Sequence, residues 1–496
     1  MRRAKERQMK IGQVPIGKIQ FDLRSRDEIP KILIGLQQLY CNEGIREKVF
    51  QELIKLVAPE DVDPNNGRPG MDLWRVLVLG TVRLSCNWDY DKLTEIANNH
   101  KTLRLMLGHS DFGDESRYAL QTLKDNVSLF TPEALDRINQ IVVEHGHELI
   151  GKKTEEGLKA SCDSFVVETD VHYPTDINLL FDAIRKMIAV IMTLCGQLEL
   201  GGWRQGSHHI RKVKKLFRKA QKLKRSTAKD SDKKAKRDQL IIKAHVAYLE
   251  LAQSLVERAR ETIEGICIRE SSIEVKIEAI KGYIVHAERQ IDQINRRVVK
   301  GETIAHHEKV FSIFEEHTEW ISKGKAGVAQ ELGVKVCIVR DQFGFILHHW
   351  VMEQETDEKI AVAIIRETKE RFERLSSCSF DKGFHSPENQ KELAEILDKV
   401  ILPRKGKLSA INKEIEQSEE FKRVRQKHSA VESSINALEN HGLDRCLDHG
   451  LHGFKRYIAL AVLARNIQIT GHIHQQKELK RRQRAERRQQ KRKQAA

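Results

Sequence analysis

Three acidic residues stand at positions from which their carboxylates could act together. Asp163 lies inside a predicted β-strand, where a buried carboxylate needs a compensating partner. Asp381 ends the short predicted strand 377–380, and strand ends in α/β sheets favour ligand groups. Glu432 borders the apolar stripe of a predicted helix over 421–440. Taken singly, each also fits an ordinary role: an exposed strand Asp, a turn Asp, and a Glu paired with neighbouring cations.

Such a set of carboxylates suits the cleavage of a phosphodiester by two metal ions. This chemistry needs hard oxygen ligands that hold the cations about 3.5–4 Å apart, one activating the attacking oxygen and the other stabilising the leaving oxygen. Three carboxylates brought together without a cation would repel one another and raise their own pKa values. Two Mg²⁺ or Mn²⁺ ions are therefore the expected cofactors at Asp163, Asp381 and Glu432.

Cationic residues near the same positions could contact phosphate groups. Arg425 and His428 lie seven and four residues before Glu432, so the three side chains project from one side of the predicted helix. A second cationic group follows the last predicted strand, where a solvated loop explains it equally well. Its members are Arg404, Lys405 and Lys407.

Apolar periodicity predicts that helices make up much of the chain. From 27 to 151 the apolar residues recur three or four apart, which indicates an all-helical region with a turn-rich interruption at 58–72. Long, highly charged helices are predicted over 207–299, and their basic first part binds DNA or is simply a solvated helix face. Helix-capping side chains are predicted at Asp72, at Thr175 or Asp176, and at Ser386.

Strand-like segments are interspersed among these helices. The first covers 161–171, where β-branched and aromatic residues cluster. The others are predicted at 310–320, in a hairpin over 334–352, at 377–380 and at 399–403. Strands that first form a hairpin and then alternate with helices indicate an α/β fold, with a mixed sheet covered by helices and a long helical insertion.

The composition predicts a soluble intracellular protein with a polyanionic partner. The 496 residues carry a formal net charge of +15, which favours nucleic acid or a membrane surface as the partner. No apolar stretch is long enough to span a bilayer, and the basic N-terminal residues lack the apolar region of a signal peptide. The eight cysteines include no CxxC pair, which argues against a zinc ribbon or a disulfide framework.

Three segments of the chain read as familiar motifs: CDSFVVETDVHYPTDINLL from Cys162, FDKGFHSPENQ from Phe380, and AVESSINALENHGLDRCLDHGLHGFKRYIALAVLARNI from Ala430. In these segments the chain resembles bacterial insertion-sequence transposases of the DDE type, whose catalytic domain is RNase H-like. The resemblance runs in order from 67 to 471, and 207–299 is its least motif-like part. Within these transposases the chain looks most like the ISNCY-like group.

The resemblance implies a role for each of the three carboxylates. In that family the first catalytic Asp opens a D-x-x-x-x-E strand segment, which gives the role to Asp163, with Glu168 five residues on. Asp170 is the competing choice. The second Asp precedes Lys or Arg, Gly and an aromatic residue, as Asp381 does, and the Glu of a Val-Glu pair falls on Glu432.

The chain departs from the family pattern in two places. Many relatives carry Arg four residues before the catalytic Glu and Lys seven residues after it, where this chain has His428 and Glu439. Better-known relatives place their insertion farther downstream, so the resemblance implies no role for the helices here. The predicted domains are a helical N-terminal DNA-binding domain at 1–150, an RNase H-like catalytic domain at 151–206 and 300–475, a helical insertion at 207–299, and a basic disordered tail at 476–496.

The implied activity is DNA transposition. It comprises nicking at terminal inverted repeats and attack of the freed 3′-OH on target DNA, without a covalent protein intermediate. The implied partners are the double-stranded DNA of the transposon ends and the target, with a homodimer in the synaptic complex, no membrane, and a place in the bacterial cytoplasm at the nucleoid. Two alternatives remain open from the sequence: a metal-dependent nuclease without joining activity, and a catalytically inert DNA-binding or scaffold protein on the same fold.

Overall fold

A computed structural model describes residues 12–57, 70–110, 113–151, 157–225, 231–267, 270–322 and 330–495. Most of the predicted turn at 58–72 therefore lies outside the described residues. The chain forms two compact units, one of Met1–Asp170 with Lys323–Ala496 and the other of Val171–Ser322. The predicted insertion at 207–299 falls inside the second unit, which also contains the helix that precedes it.

The first unit begins with a series of helices. They are α1 (Glu28–Cys41), α2 (Glu43–Lys55), α3 (Leu73–Ser85), α4 (Tyr90–Asn99), α5 (Lys101–Met106), α6 (Leu120–Val127) and α7 (Pro132–Ile150). Asp72 caps α3, as predicted, by accepting a hydrogen bond from the backbone N–H of Arg75 at 3.0 Å. The apolar stripes of these helices are buried in one continuous core.

The sheet of the first unit is mixed. Its strands are β1 (Leu158–Thr169), β3 (Gln330–Asp341), β4 (Ile346–Met352), β5 (Leu375–Phe380), β6 (Lys399–Ile401) and β7 (Arg445–Cys446). β1 runs antiparallel to β3 and parallel to β5, and β6 extends the sheet beyond β5 in parallel. β4 pairs with β3 as the predicted hairpin, and β7 pairs with the end of β1.

Helices cover both faces of this sheet. They include α12 (Asp357–Arg371), α13 (Pro387–Ile396), α15 (Glu419–Leu438) and α16 (Gly450–Ala495), and the short helix α14 (Ala410–Gln417) packs against α15. The mixed sheet flanked by helices confirms the predicted α/β, RNase H-like fold class. The N-terminal helices do not form a core of their own, because α1, α3 and α7 pack against α16 at the other end of the chain.

The second unit is mainly helical. It contains α8 (Asp176–Gln197), α9 (Gly206–Arg225), α10 (Ser231–Glu264), α11 (Ser271–Ile294) and the short strand β2 (Glu319–Ser322). Thr175, rather than Asp176, caps α8 by accepting from the N–H of Asn178 at 3.3 Å. The four helices share an apolar core.

Two sequence predictions differ from the structure. The strand predicted at 310–320 is limited to β2, because the Ser312 hydroxyl accepts hydrogen bonds from the N–H groups of Phe314 and Glu315 and holds that stretch in a turn. The C-terminal segment predicted to be disordered is helical through Ala495. It continues a helix already begun in the core, and extending a helix costs far less than starting one. In the residues that the structure describes, no helix is long and apolar enough to cross a membrane.

Candidate active site

Two of the predicted carboxylates stand on neighbouring parallel strands. Cys162 of β1 is opposite Phe380, the last residue of β5. Asp163 is the residue after Cys162, and Asp381 is the residue after Phe380. The parallel register therefore brings two carboxylates, separated by more than two hundred residues, side by side where β5 ends.

Successive side chains of a strand point to opposite faces of the sheet, which determines the face on which each aspartate lies. Ser161 and Asp163 share one face of β1, and Ser379 shares the corresponding face of β5 with the position of Asp381. The helix α15 packs across both strands on that face. Ser379 Oγ donates to Ser161 Oγ at 3.0 Å and also lies 3.0 Å from Nδ1 of His428 on α15. This chain of hydrogen bonds fixes α15 against the strands that carry the two aspartates.

Glu432 follows His428 by one helical turn, so its exposed side chain projects from the part of α15 nearest these carboxylates. The pKa of Asp163 is consistent with nearby carboxylates. Burial raises the pKa of the Asp163 carboxyl to about 6. The negative charges of Asp381, Asp357 and Glu432 contribute to that rise.

A cationic hollow lies beside Asp381. Arg425, one turn before His428 on α15, contacts Asp381 Oδ1 through a guanidinium nitrogen at 3.5 Å. The same arginine lines a surface cavity with Glu416 and Phe421. The cationic side chains of that cavity are Lys382, Arg404, Lys422 and Arg425. Such a concentration of positive charge next to a carboxylate pair suits a phosphate group.

Asp357, in the first turn of α12, is a further carboxylate at this site that the sequence did not single out. Its Oδ1 accepts a hydrogen bond from Ser164 Oγ at 2.6 Å, and its Oδ2 lies 3.5 Å from Lys335 Nζ. Ser164 directly follows Asp163 on β1. The sequence around Asp357 contains no catalytic motif. Its position at the start of a helix, after the predicted hairpin, is the one signal in the sequence that could have identified it.

The donor set fits a hard divalent cation in its chemistry. Asp163, Asp357, Asp381 and Glu432 offer only carboxylate oxygens, the ligands that Mg²⁺ and Mn²⁺ prefer. Among the residues that the structure describes, however, no three His, Cys, Asp or Glu side chains converge closely enough to hold an ion. Asp381 is instead drawn toward Arg425, as expected where like charges repel and a cation is within reach.

Comparison with protein families bears on the same part of the chain. Residues 297–467 match the family model described as the transposase DDE domain. This part of the chain is therefore similar to the catalytic domain of DDE transposases. The match covers about a third of the sequence and includes the strands β3 to β7 together with Asp381 and Glu432. No curated protein and no solved structure matches the chain.

Asp163 precedes the matched residues, so its assignment rests on the strand pairing. The competing choice, Asp170, lies seven residues farther along β1 and just beyond it, roughly 23 Å away at 3.3 Å per residue. There Arg445 contacts both Glu168, at 3.2 Å, and Asp170, at 3.7 Å. The geometry therefore favours Asp163 over Asp170 as the neighbour of Asp381.

The predicted DNA contact of His428 finds no support in the surroundings of that side chain. The His428 side chain is buried, and its ring is hydrogen-bonded to Ser379. Burial, followed by the nearby positive charge of Arg425, lowers the pKa of His428. A buried neutral ring cannot grip a phosphate, so His428 positions α15 instead.

The other predicted cations lie at the surface of the protein. Arg404 lines the cationic hollow, and its backbone N–H donates to Glu416 at 2.9 Å. Lys405 lies outside the hollow and pairs with Glu358 at 2.8 Å. Lys407 is exposed. Two lining residues, Lys382 and Lys422, were missed from the sequence, although Lys382 directly follows Asp381 and could have been noticed there.

Proposed function

We propose that this transposase cleaves DNA at the terminal inverted repeats of its insertion sequence and joins the freed 3′-OH to target DNA. The observation that carries the proposal is the parallel pairing that sets Asp163 beside Asp381, with Glu432 on the helix clamped over both strands. The ISNCY-like grouping belongs to the same proposal.

Asp163, Asp381 and Glu432 are the residues that would hold two Mg²⁺ or Mn²⁺ ions. Bound ions of this kind activate the attacking oxygen and stabilise the leaving oxygen of a phosphodiester. The rigidity that this chemistry needs comes from two adjacent strands and from α15, which the contact between His428 and Ser379 holds in place.

The cationic hollow would position the DNA strand. Arg425 and Lys382 stand next to Asp381, so a phosphate in the hollow would lie close to the carboxylates. Such a phosphate would also compete with Asp381 for the Arg425 guanidinium. Binding of DNA would then release the carboxylate of Asp381 toward the other two acidic residues.

The wider arrangement follows from the reaction. Joining requires two transposon ends to be held together, which a homodimer in the synaptic complex would provide. The N-terminal helices, with the rest of the region 1–150, would supply DNA recognition. The protein would act in the bacterial cytoplasm at the nucleoid, where its DNA substrate lies.

The decisive experiment combines cleavage and strand-transfer assays on DNA that carries the repeats flanking the gene, with Mg²⁺ and the purified full-length protein. Asp163→Asn, Asp381→Asn and Glu432→Gln should each lower the cleavage rate by at least about 100-fold. Asp170→Asn, just beyond the end of the same strand, is the matched control and should retain cleavage. Wild-type activity in Asp163→Asn would refute the site.

The same assays separate the proposal from its alternatives. Cleavage without joining by the wild-type protein would identify a nuclease. DNA binding without cleavage in either Mg²⁺ or Mn²⁺ would identify an inert DNA-binding protein on this fold.

A further inference from the structure

The helix α9 in the second unit carries an unusual charge pattern. Its sequence, GSHHIRKVKKLFRKAQKLKR, contains no acidic residue. Apolar residues recur along it at helical spacing, and Val213 and Ala220 are fully buried. The helix therefore has one apolar side and an otherwise cationic surface.

The cations opposite the buried side form a stripe. Arg211, Lys215, Arg218 and Lys222 follow one another at intervals of four, three and four residues. At 100° per residue these four project away from Val213. All four are exposed, and at 1.5 Å per residue the stripe is roughly 16 Å long.

Some cations of the neighbouring helices pair with carboxylates. On α10, Arg260 pairs with Glu288 at 2.5 Å, and on α11 Lys281 pairs with Glu278 at 2.7 Å. Within the described part of the chain, none of the four stripe residues pairs with a carboxylate. The Nε of Arg211 donates to the backbone oxygen of Ser207 at 3.4 Å. The stripe is therefore available to an external anion.

The stripe is also held in a fixed orientation by the core beneath it. Phe217 of α9 stacks on Phe181 of α8, with ring centroids 5.2 Å apart. It also contacts Tyr248 of α10, whose hydroxyl donates to the Ile177 oxygen at 3.1 Å. Because the apolar side of α9 packs against this core, it is engaged inside the protein, which argues against its insertion into a lipid surface.

We propose that the cationic stripe of α9 binds the phosphodiester backbone of double-stranded DNA, without reading its sequence. This inference rests on the proposed function and gives a role to the helical insertion. Unpaired cations in a row suit the regularly spaced phosphates of a duplex, whose axis rises 3.4 Å per base pair, so the stripe spans about five base pairs. A stripe that contacts phosphates alone adds affinity equally to transposon ends and to target DNA.

The test measures equilibrium binding of the full-length protein to a repeat-free 30-base-pair duplex over a range of salt concentrations. The variant Arg211→Gln/Lys215→Gln/Arg218→Gln/Lys222→Gln should bind about tenfold or more weakly near physiological salt. The slope of log affinity against log salt should fall by about 0.9 for each phosphate that the variant no longer neutralises, hence by up to about 3.6. A charge-retaining variant, Arg211→Lys/Lys215→Arg/Arg218→Lys/Lys222→Arg, should bind like wild type.

A control removes three cations, of which Lys281 and Arg289 are exposed, from a mixed-charge helix of the same unit. Lys276→Gln/Lys281→Gln/Arg289→Gln on α11 should leave the salt slope nearly unchanged. If the wild type binds and cleaves DNA but the α9 variant keeps its affinity and slope, the inference fails alone. If the wild type binds no DNA, the proposed function fails with it. Loss of binding to phosphatidylglycerol vesicles, with DNA affinity unchanged, would also overturn the inference.

Discussion

Gly383 and Asp357 approach each other so closely that a side chain on the glycine would crowd the carboxylate. A Cβ at Gly383 would lie 3.1 Å from Asp357 Oδ2, which is tighter than ordinary van der Waals contact. Gly383 belongs to the turn after Asp381, and Asp357 accepts a hydrogen bond from the residue after Asp163. The carboxylate of Asp357 on α12 therefore contacts the backbone segments that follow Asp163 and Asp381.

This contact predicts that Gly383→Ala slows DNA cleavage by about tenfold, because Asp357 or the turn must move. In an Asp357→Ala background the same substitution should cost much less, giving a coupling free energy of about 1–2 kcal/mol. A double-mutant cycle on the cleavage rate measures this coupling. Gly282→Ala, on a helix where nothing lies within 4 Å, is the control. Equal costs of Gly383→Ala in both backgrounds would show that Asp357 is not involved.

The raised pKa of Asp163 predicts that this residue destabilises the metal-free protein at neutral pH. The carboxyl has a pKa of about 6 in the folded state against 3.8 in its reference state. A raised folded-state pKa gives stability that is present below 3.8 and lost as the pH rises through 6. The full difference corresponds to about 3 kcal/mol, and solvent screening reduces it to about 1–2 kcal/mol.

Asp163→Asn should therefore unfold at higher denaturant concentration than wild type at pH 7.5 in EDTA, with the difference vanishing near pH 4. Chemical unfolding at both pH values checks this. Addition of Mg²⁺ should stabilise the wild type and not the variant, because the variant lacks the charged ligand. A less stable Asn variant at pH 7.5 in EDTA would contradict the electrostatic explanation.

The buried contact between His428 and Ser379 predicts a positioning role without DNA contact. His428→Ala should lower the free energy of unfolding by about 1–3 kcal/mol, because it leaves a buried hydroxyl with one partner fewer. The cleavage rate at saturating DNA should fall, whereas the DNA Kd should change less than twofold. Arg425→Gln should instead weaken DNA binding. The exposed His472→Ala is the control, and a large rise in Kd for His428→Ala would refute the assignment.

The C-terminal part of α16 is predicted to add salt-sensitive, non-specific DNA affinity. A truncation after Lys477 preserves two anchoring contacts, from Gln475 Nε2 to the Leu23 oxygen at 2.6 Å and from Lys477 Nζ to the Leu149 oxygen at 2.5 Å. The truncated protein should bind DNA more weakly and with a smaller salt slope, while cleaving at saturating DNA at the wild-type rate. An unchanged slope would show that the segment does not contact DNA.

Local sequence information determined the elements and their ends. The caps at Asp72 and Ser386 follow from short side chains that accept backbone hydrogen bonds within a few residues, which needs no tertiary contact. The β3–β4 hairpin likewise follows from alternation around a turn. The motifs around Asp381 and Glu432 pointed to their residues, and the family match covers both.

The tertiary structure alone decided which side chains meet. The preference for Asp163 over Asp170 comes from the register of β1 on β5, which pairs residues far apart in the chain. The burial of His428, the approach of Asp357 to Gly383 and the joint core of the N-terminal helices with α16 arise in the same way. Periodicity shows which side of an element is apolar, but only packing decides which element covers it.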